Sequence, residues 1–120
     1  MAVNSPRVFV TQECANLNYT NAEAFGEVVF LTAQEVSPVP GSLINADIMR
    51  TMGGKLQTFD FEHDYLCPSG SPVVCGLAFY TLREIVAREE YERRRPKTLR
   101  VLRWSNRDRV YQPITIPLEQ

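Results

Sequence analysis

A short run of small, turn-forming residues is the part of the sequence best suited to chemistry. Ser69, Gly70 and Ser71 precede Pro72 and a long helical pattern of apolar residues. Serine is a common N-cap, and proline fits the first helical position because no N–H donor is needed there. The free N–H groups of a helix start attract anions. We therefore predict a helix start, with Ser69, Gly70 and Ser71 as candidate ligand-binding residues for an anion or a nucleotide.

The established motifs for phosphate binding and hydrolysis are not met at this turn. No lysine follows it as in a Walker motif, and the sequence has no G-x-G-x-x-G pattern. The Ser-Gly-Ser run only partly imitates the G-x-S-x-G elbow of serine hydrolases. A capped helix start requires the same residues without any ligand. Both interpretations stay open, but the sequence favours a protein without enzymatic activity, and we assign no catalytic residue and no cofactor.

The cysteines and the single histidine are a second group of reactive side chains. Cys14, Cys67 and Cys75 are odd in number, which favours free thiols. His63 lies close to Cys67 along the chain, but structural zinc generally requires four ligands at tighter spacings. We predict that Cys67 and Cys75 are small buried residues, and we assign no metal site. His63 lies between two acidic residues and could act as an acid or base, although a solvated loop histidine is more common.

Charge is unevenly distributed along the chain. Residues 83–109 hold ten basic against five acidic residues, whereas residues 1–82 hold three basic against eight acidic residues. The overall charge of −1 argues against a surface built throughout for nucleic acid. Arginines interleaved with aromatic residues can still hold phosphates and stack bases. Nucleic-acid binding is therefore an alternative function, with the candidate residues Arg93, Arg94, Arg95, Lys97, Arg100, Arg103 and Trp104.

The elements that must position these residues follow from the apolar pattern. Strands are predicted at residues 7–11, 27–32, 64–67, 98–104 and 109–118. One helix is predicted over residues 43–52, because Gly53 and Gly54 are typical of a helix end, with an extension to residue 57 as the alternative. A second helix starts at Pro72 and stops before Pro96. The last two strands form a hairpin, whose final strand is an edge strand because it contains two prolines.

This order of elements predicts one α/β domain over residues 1–120. We expect a small Rossmann-like mixed sheet of about five strands, with two main helices and a C-terminal β-hairpin. The alternation of strand and helix in the middle of the chain implies parallel strands, and the hairpin adds an antiparallel edge. The fold has three layers if the helices lie on opposite faces of the sheet and two layers if they share one face.

Several short segments together resemble a known group of proteins. The matching segments are Val8–Glu13, Gly26–Leu31, Asp64–Leu66, Gly70–Pro72, Leu102–Trp104 and Tyr111–Ile114. The pattern is similar to a group of small α/β proteins encoded in phage and prophage genomes, and the resemblance covers most of the chain. In that group an aspartate often occupies the place of Ser71, and serine serves equally well as a cap. The resemblance implies a phage-type accessory role and no specific activity.

The remaining expectations concern partners and location. The chain has no apolar run near the ~20 residues that a membrane-spanning helix needs, and no secretory signal pattern. We expect a protein of the host cytoplasm that does not contact membranes. A small protein without an assembled site most often contacts another protein, so we predict a protein-interaction module. Its partner would be a host or phage protein, or a second copy pairing through the edge strand at residues 110–116.

Overall fold

Five strands and two long helices alternate along the chain in the predicted order. The computed structural model describes residues 5–91 and 96–118. Its elements are β1 (Arg7–Val10), a 3₁₀ helix (Thr20–Ala24), β2 (Glu27–Phe30), α1 (Leu43–Leu56), β3 (Tyr65–Cys67), α2 (Pro72–Tyr91), β4 (Thr98–Ser105) and β5 (Val110–Pro117). The prediction of a small α/β fold is confirmed. No helix within the described residues is long and apolar enough to cross a membrane.

The strands form a single mixed sheet in the order β2-β1-β3-β4-β5. Strands β1, β2, β3 and β4 run parallel to one another, and β5 is antiparallel to β4. Val8 in β1 lies opposite Val28 in β2 and Tyr65 in β3. Strand β1 is therefore an interior strand, with β2 on one side of it and β3, the middle strand of the sheet, on the other.

Both helices pack on the same face of the sheet. Met52 of α1 and Ala78 of α2 lie in one buried cluster with Phe9, Leu66 and Val101 from three neighbouring strands. The two helices also contact each other. Of the two arrangements that the sequence left open, the structure has the two-layer one.

The opposite face of the sheet is covered by irregular chain. Val8, Val10 and Leu102 are buried on this face and pack against Tyr19 and Phe25. Both aromatic residues belong to the connection between β1 and β2, which contains the 3₁₀ helix. A loop without a long helix therefore completes the second half of the core.

Helix α1 extends beyond the end that we predicted. It continues through Gly53 and Gly54 to Leu56, so the prediction that these glycines end the helix is wrong and the longer alternative holds. The penalty for helical glycine is about 1 kcal/mol per residue. Burial of the apolar side chains of Met52 and Leu56, each 0% exposed, outweighs that penalty because each is worth about 2 kcal/mol.

The strand order creates a switch point between β1 and β3. Ligands of open α/β sheets usually bind beyond the carboxyl ends of the strands, at the place where the strand order reverses. Residues 11–14 follow β1 there, and residues 68–71 follow β3. Helices α1 and α2 begin at the same edge, because each returns antiparallel to the strands. We call this side of the molecule the carboxyl edge.

Candidate functional site

The predicted turn lies at the switch point and begins α2 as expected. The Ser71 hydroxyl accepts a hydrogen bond from the Val73 N–H at 3.2 Å, and the Ser71 carbonyl accepts one from the Cys75 N–H at 3.0 Å. The prediction that Ser71 caps the helix is therefore confirmed. The structure thus brings Ser69, Gly70 and Ser71 to the end of the sheet where ligands bind in related architectures.

Two buried side chains that directly follow β1 already occupy two of the backbone N–H donors of this turn. The Thr11 hydroxyl accepts from the Ser69 N–H at 2.8 Å and donates to the Ser69 carbonyl at 2.6 Å. The Gln12 Oε1 accepts from the Ser71 N–H at 2.7 Å. An anion would need such N–H groups, and here the protein's own side chains bind them. Ligand binding at Ser69, Gly70 and Ser71 stays a prediction that this geometry does not favour.

Gly70 allows Gln12 to lie directly against the turn. Its φ of +88° falls in the left-handed region, where side chains are strained. A Cβ on Gly70 would also lie 2.0 Å from the Gln12 Oε1. Both restrictions have the same cause, because the backbone of the turn closes tightly over a buried glutamine. Glycine at this position is explained by packing alone.

A hydrogen-bonded relay connects the start of α2 to the start of α1. The Gln12 Nε2 donates to the Gln34 carbonyl at 2.9 Å, and the Gln34 Nε2 donates to the Asp47 carboxylate at 2.8 Å. Gln12 is 1% exposed and joins this chain to Ser71. The pKa of Asp47 is lowered by its hydrogen bonds with Gln34 and Arg50. The relay therefore holds the two helix starts in a fixed relation.

Sequence reasoning missed Thr11, Gln12 and Gln34 as site residues. The sequence places Thr11 at the end of a strand, and places both Thr11 and Gln12 in a segment of family resemblance, without marking either as a site residue. The one available signal was a pair of polar residues directly after a buried strand, at the edge where β1 must end. Their partners lie 13 to 59 residues away in sequence, so no local pattern could identify them.

Hydroxyl and thiol groups cluster on the other side of the turn. The Tyr19 hydroxyl lies 2.8 Å from the Ser69 Oγ and accepts the Cys14 N–H at 3.0 Å. The Cys14 Sγ lies 3.9 Å from the same Ser69 oxygen. Burial raises the pKa of Tyr19, so the phenol is neutral at ordinary pH. An activated serine needs a neighbouring base to take its proton, and a neutral phenol is a poor base. The hydrogen bonds of this cluster are therefore better explained as structural contacts.

The other two cysteines lie close to this cluster. The Cys75 Sγ is 3.4 Å from the Thr11 hydroxyl, and Cys67 is buried at the end of β3. Burial raises the pKa of the Cys67 thiol to about 11, an effect partly opposed by its hydrogen bond with Tyr111. Burial likewise raises the pKa of Tyr111 to about 12. All three cysteines are free, and Cys67 is buried as predicted. The same prediction is wrong for Cys75, which is only partly buried because it lies in the first turn of α2, against Thr11 and the Ser69 carbonyl at the edge of the sheet.

His63 lies at the far end of β3 from these cysteines. Its Nδ1 is 2.8 Å from the Asp60 carboxylate, in the loop that enters β3. Asp64, the neighbouring acid, is buried and binds the Arg7 guanidinium at 2.9 Å and the Asp60 N–H at 2.8 Å. These charged groups tie the amino ends of β1 and β3 together. His63 and its acidic neighbours therefore lie at the opposite end of β3 from Ser69–Ser71.

Comparison with known families decides the affiliation of the chain. Residues 6–118 match the model of the Phage Pam3 gp32-like protein family. The chain belongs to this phage protein family. No curated protein and no solved structure matches it. The match covers nearly all of the fold and confirms the resemblance to small phage proteins, while the family description specifies no activity.

The predicted basic site of this phage protein is divided between faces of the sheet. Arg93, Arg94 and Arg95 lie outside the described residues. Arg103 and Trp104 are adjacent in β4 and therefore point to opposite faces.

The individual contacts at this site are internal. Arg100 lies over the Tyr65 ring at 4.1 Å and donates to the His63 carbonyl. The Trp104 Nε1 donates to the Asn106 side chain at 2.9 Å, and Lys97 is exposed. Nucleic-acid binding stays a prediction, and those members of the set that the structure describes do not share one face of the sheet.

Exposed apolar side chains surround the helix starts at the carboxyl edge. They are Val39, Leu43, Ile44 and Val73, which we call the carboxyl-edge patch. Leu43 and Ile44 form the first turn of α1, and Val73 lies in the first turn of α2. Leu43 is 85% exposed and Val73 is 56% exposed. The Gln12–Gln34–Asp47 relay lies between the two helix starts and connects them.

Proposed function

We propose that this phage protein is a non-enzymatic protein-interaction module with an accessory role, and that the carboxyl-edge patch is its binding surface. The supporting observation is the exposure of Leu43, Ile44 and Val73 at the starts of two neighbouring helices. Exposed apolar groups that cluster within a polar surround are typical of protein interfaces. The partner is a phage or host protein, or a second copy of the chain.

The patch side chains contribute little to the fold. Leu43 and Val73 are more than half exposed, and the buried residues of their helices begin at Ile48 and Val74. Burying one such side chain against a partner is worth about 1.5–3 kcal/mol. These apolar side chains are not needed in the core, and their exposure does not help solubility. Their presence on the surface is consistent with selection for binding.

The two helix starts that carry the patch are also joined by hydrogen bonds. The relay through Gln12, Gln34 and Asp47 consists of three hydrogen bonds of 2.7 to 2.9 Å that join the two helix starts. A surface that is already ordered loses less conformational entropy when it binds. The polar groups at the switch point thus support a binding surface, and they bond to one another instead of converging on a reacting atom.

The test compares variants of the patch in capture experiments. We expect the tagged protein to retain a partner from infected host cells and the Leu43→Ser/Val73→Ser variant to lose most of it. The matched control is Ile116→Ser, which removes another exposed apolar side chain near the end of β5, at the opposite edge of the sheet. Equal capture by all three proteins would contradict the proposal. Light scattering of the same proteins shows whether the partner is a second copy.

A further inference from the structure

The two edges of the sheet differ in their capacity to accept another strand. At the β5 edge, the Leu118 N–H donates to the Lys97 carbonyl at 2.9 Å, which fixes the phase of the antiparallel ladder. Because the backbone groups alternate in direction, positions 111, 113, 115 and 117 point theirs away from β4. Two of these four positions, Pro113 and Pro117, have no N–H to donate. The missing donors therefore weaken the pairing of β5 with any further strand. This includes the pairing with a second copy that we predicted for residues 110–116.

The β2 edge has no such block. The Glu27 N–H donates to the Pro6 carbonyl at 3.1 Å, and the Leu31 N–H donates to the Val10 carbonyl at 2.8 Å. Positions 27, 29 and 31 therefore face β1, and Val28 and Phe30 direct their N–H and carbonyl groups outwards. The Lys55 ammonium donates to the Phe30 carbonyl at 2.6 Å and closes one end of this edge. Within the described residues, no other main-chain group pairs with the Val28 N–H, the Val28 carbonyl or the Phe30 N–H.

A groove of about 640 Å³ runs beside this edge. Val28 and Phe30 supply its apolar wall, and Glu23 and Glu27 supply its charge. Both glutamates are exposed, and neither forms an ion pair within the described part of the chain. The groove lining contains no basic residue. An occupant of this groove meets backbone donors and acceptors, apolar side chains and two negative charges.

We propose that the β2 edge binds an extended, basic segment of a partner protein by strand addition. Main-chain hydrogen bonds to Val28 and Phe30 would supply the pairing, and Glu23 and Glu27 would select arginine or lysine side chains. The two features together identify the class of occupant, because an acidic segment would be repelled by the two glutamates and a helical segment has no free main-chain groups to pair with the strand. This surface is distinct from the carboxyl-edge patch, and the proposal does not depend on that patch being a binding site.

The probe is a capped hexapeptide of alternating arginine and valine, titrated into the ¹⁵N-labelled protein at low salt. We expect the largest amide shifts at Val28 and Phe30, and weaker binding as salt is raised. The Glu23→Gln/Glu27→Gln variant should bind three- to tenfold more weakly, as expected for the loss of two exposed charge pairs. Glu35→Gln is the matched control, since Glu35 is exposed but lies outside the groove, and it should bind like the wild type.

A second variant tests the backbone pairing. Val28→Pro removes one outward N–H and leaves the bonds from β2 to β1 in place, so it should abolish binding while thermal unfolding stays cooperative. Because proline also restricts the backbone of Glu27, the double glutamine variant carries the charge test independently. The proposal is overturned if the peptide binds Val28→Pro as well as the wild type. It is also overturned if a glutamate–valine peptide binds equally, or if the shifted amides lie outside β2 and its groove.

Discussion

At the scale of single residues, Gln12 organises the carboxyl edge. Its side chain is buried, binds the Ser71 N–H and the Gln34 carbonyl, and lies against Gly70. The sequence predicted the turn and its cap correctly because capping depends on adjacent residues. It could not predict that Gln12 occupies the turn's N–H group, because the two residues meet only once β1 and β3 are neighbours.

Replacement of Gly70 tests this tight packing. We expect Gly70→Ala to lower the free energy of unfolding by about 2 kcal/mol or more, since left-handed strain adds to the clash with Gln12. Gly41→Ala is the control, because Gly41 has a φ of +74° but nothing within 4 Å of its added Cβ, and it should lose only about 1 kcal/mol. Urea denaturation measures both losses, and equal losses would show that Gln12 does not press on Gly70.

Cys67 should make stability depend on alkaline pH. Its thiol has an ordinary pKa of 9.0, and burial raises the folded pKa to about 11. The folded state therefore holds the proton more tightly, and the resulting stabilisation is complete below pH 9. It is lost as pH rises from 9 to about 11, with a slope of at most about 1.4 kcal/mol per pH unit.

The variant Cys67→Ala should flatten that decline in the free energy of unfolding. Tyr111 and Tyr19, whose pKa values burial also raises, keep a residual slope. Val10→Ala is a suitable control because Val10 lies in the same buried cluster and carries no titratable group. It should lower stability at every pH and keep the wild-type slope. A Cys67→Ala slope as steep as that of Val10→Ala would contradict the assignment.

At the scale of elements, the apolar pattern predicted every strand and both helices to within a few residues. Helix α2 was the clearest because its apolar stripe is long. Helix α1 was misjudged at its end, since Gly53 and Gly54 have low helix propensity while tertiary burial of Leu56 decides the outcome. Local propensity cannot include a contact with a sheet that forms elsewhere in the chain.

The edge strands illustrate a second limit of local reasoning. The prolines of β5 predicted an edge strand, which is correct. The register of the strand decides whether the missing N–H donors would have faced β4 or the free side of β5. The hydrogen bond from the Leu118 N–H to the Lys97 carbonyl shows that they would have faced the free side. Outward-facing prolines leave the ladder with β4 intact and remove donors from the free side only.

Restoring those donors should cause association. We expect Pro113→Val/Pro117→Val to form concentration-dependent oligomers, because four consecutive outward positions of β5 then offer N–H groups to another chain. Stability of the monomer should change little, since neither proline faces β4. Multi-angle light scattering over a range of concentrations measures the effect. A double variant with the same mass distribution as the wild type would mean that the prolines do not protect this edge.

At the scale of the whole molecule, the sequence predicted the fold class but not the number of layers. The apolar face of each helix could pack against either side of the sheet. Only the strand order determines that both helices lie on the same side. That arrangement puts both helix starts side by side at the carboxyl edge. The exposed Leu43 and Val73 gain their significance from this juxtaposition, which neither helix reveals alone.

The central claim is that a partner protein sits on the carboxyl-edge patch. Photo-crosslinking in infected cells tests it directly, with p-benzoylphenylalanine placed at Leu43 or, as the control, at Ile116. Both positions are exposed, so the probe should be tolerated at each. The account predicts a discrete crosslinked product from position 43 and none from position 116. A product from position 116 alone, or equal products from both, would contradict it.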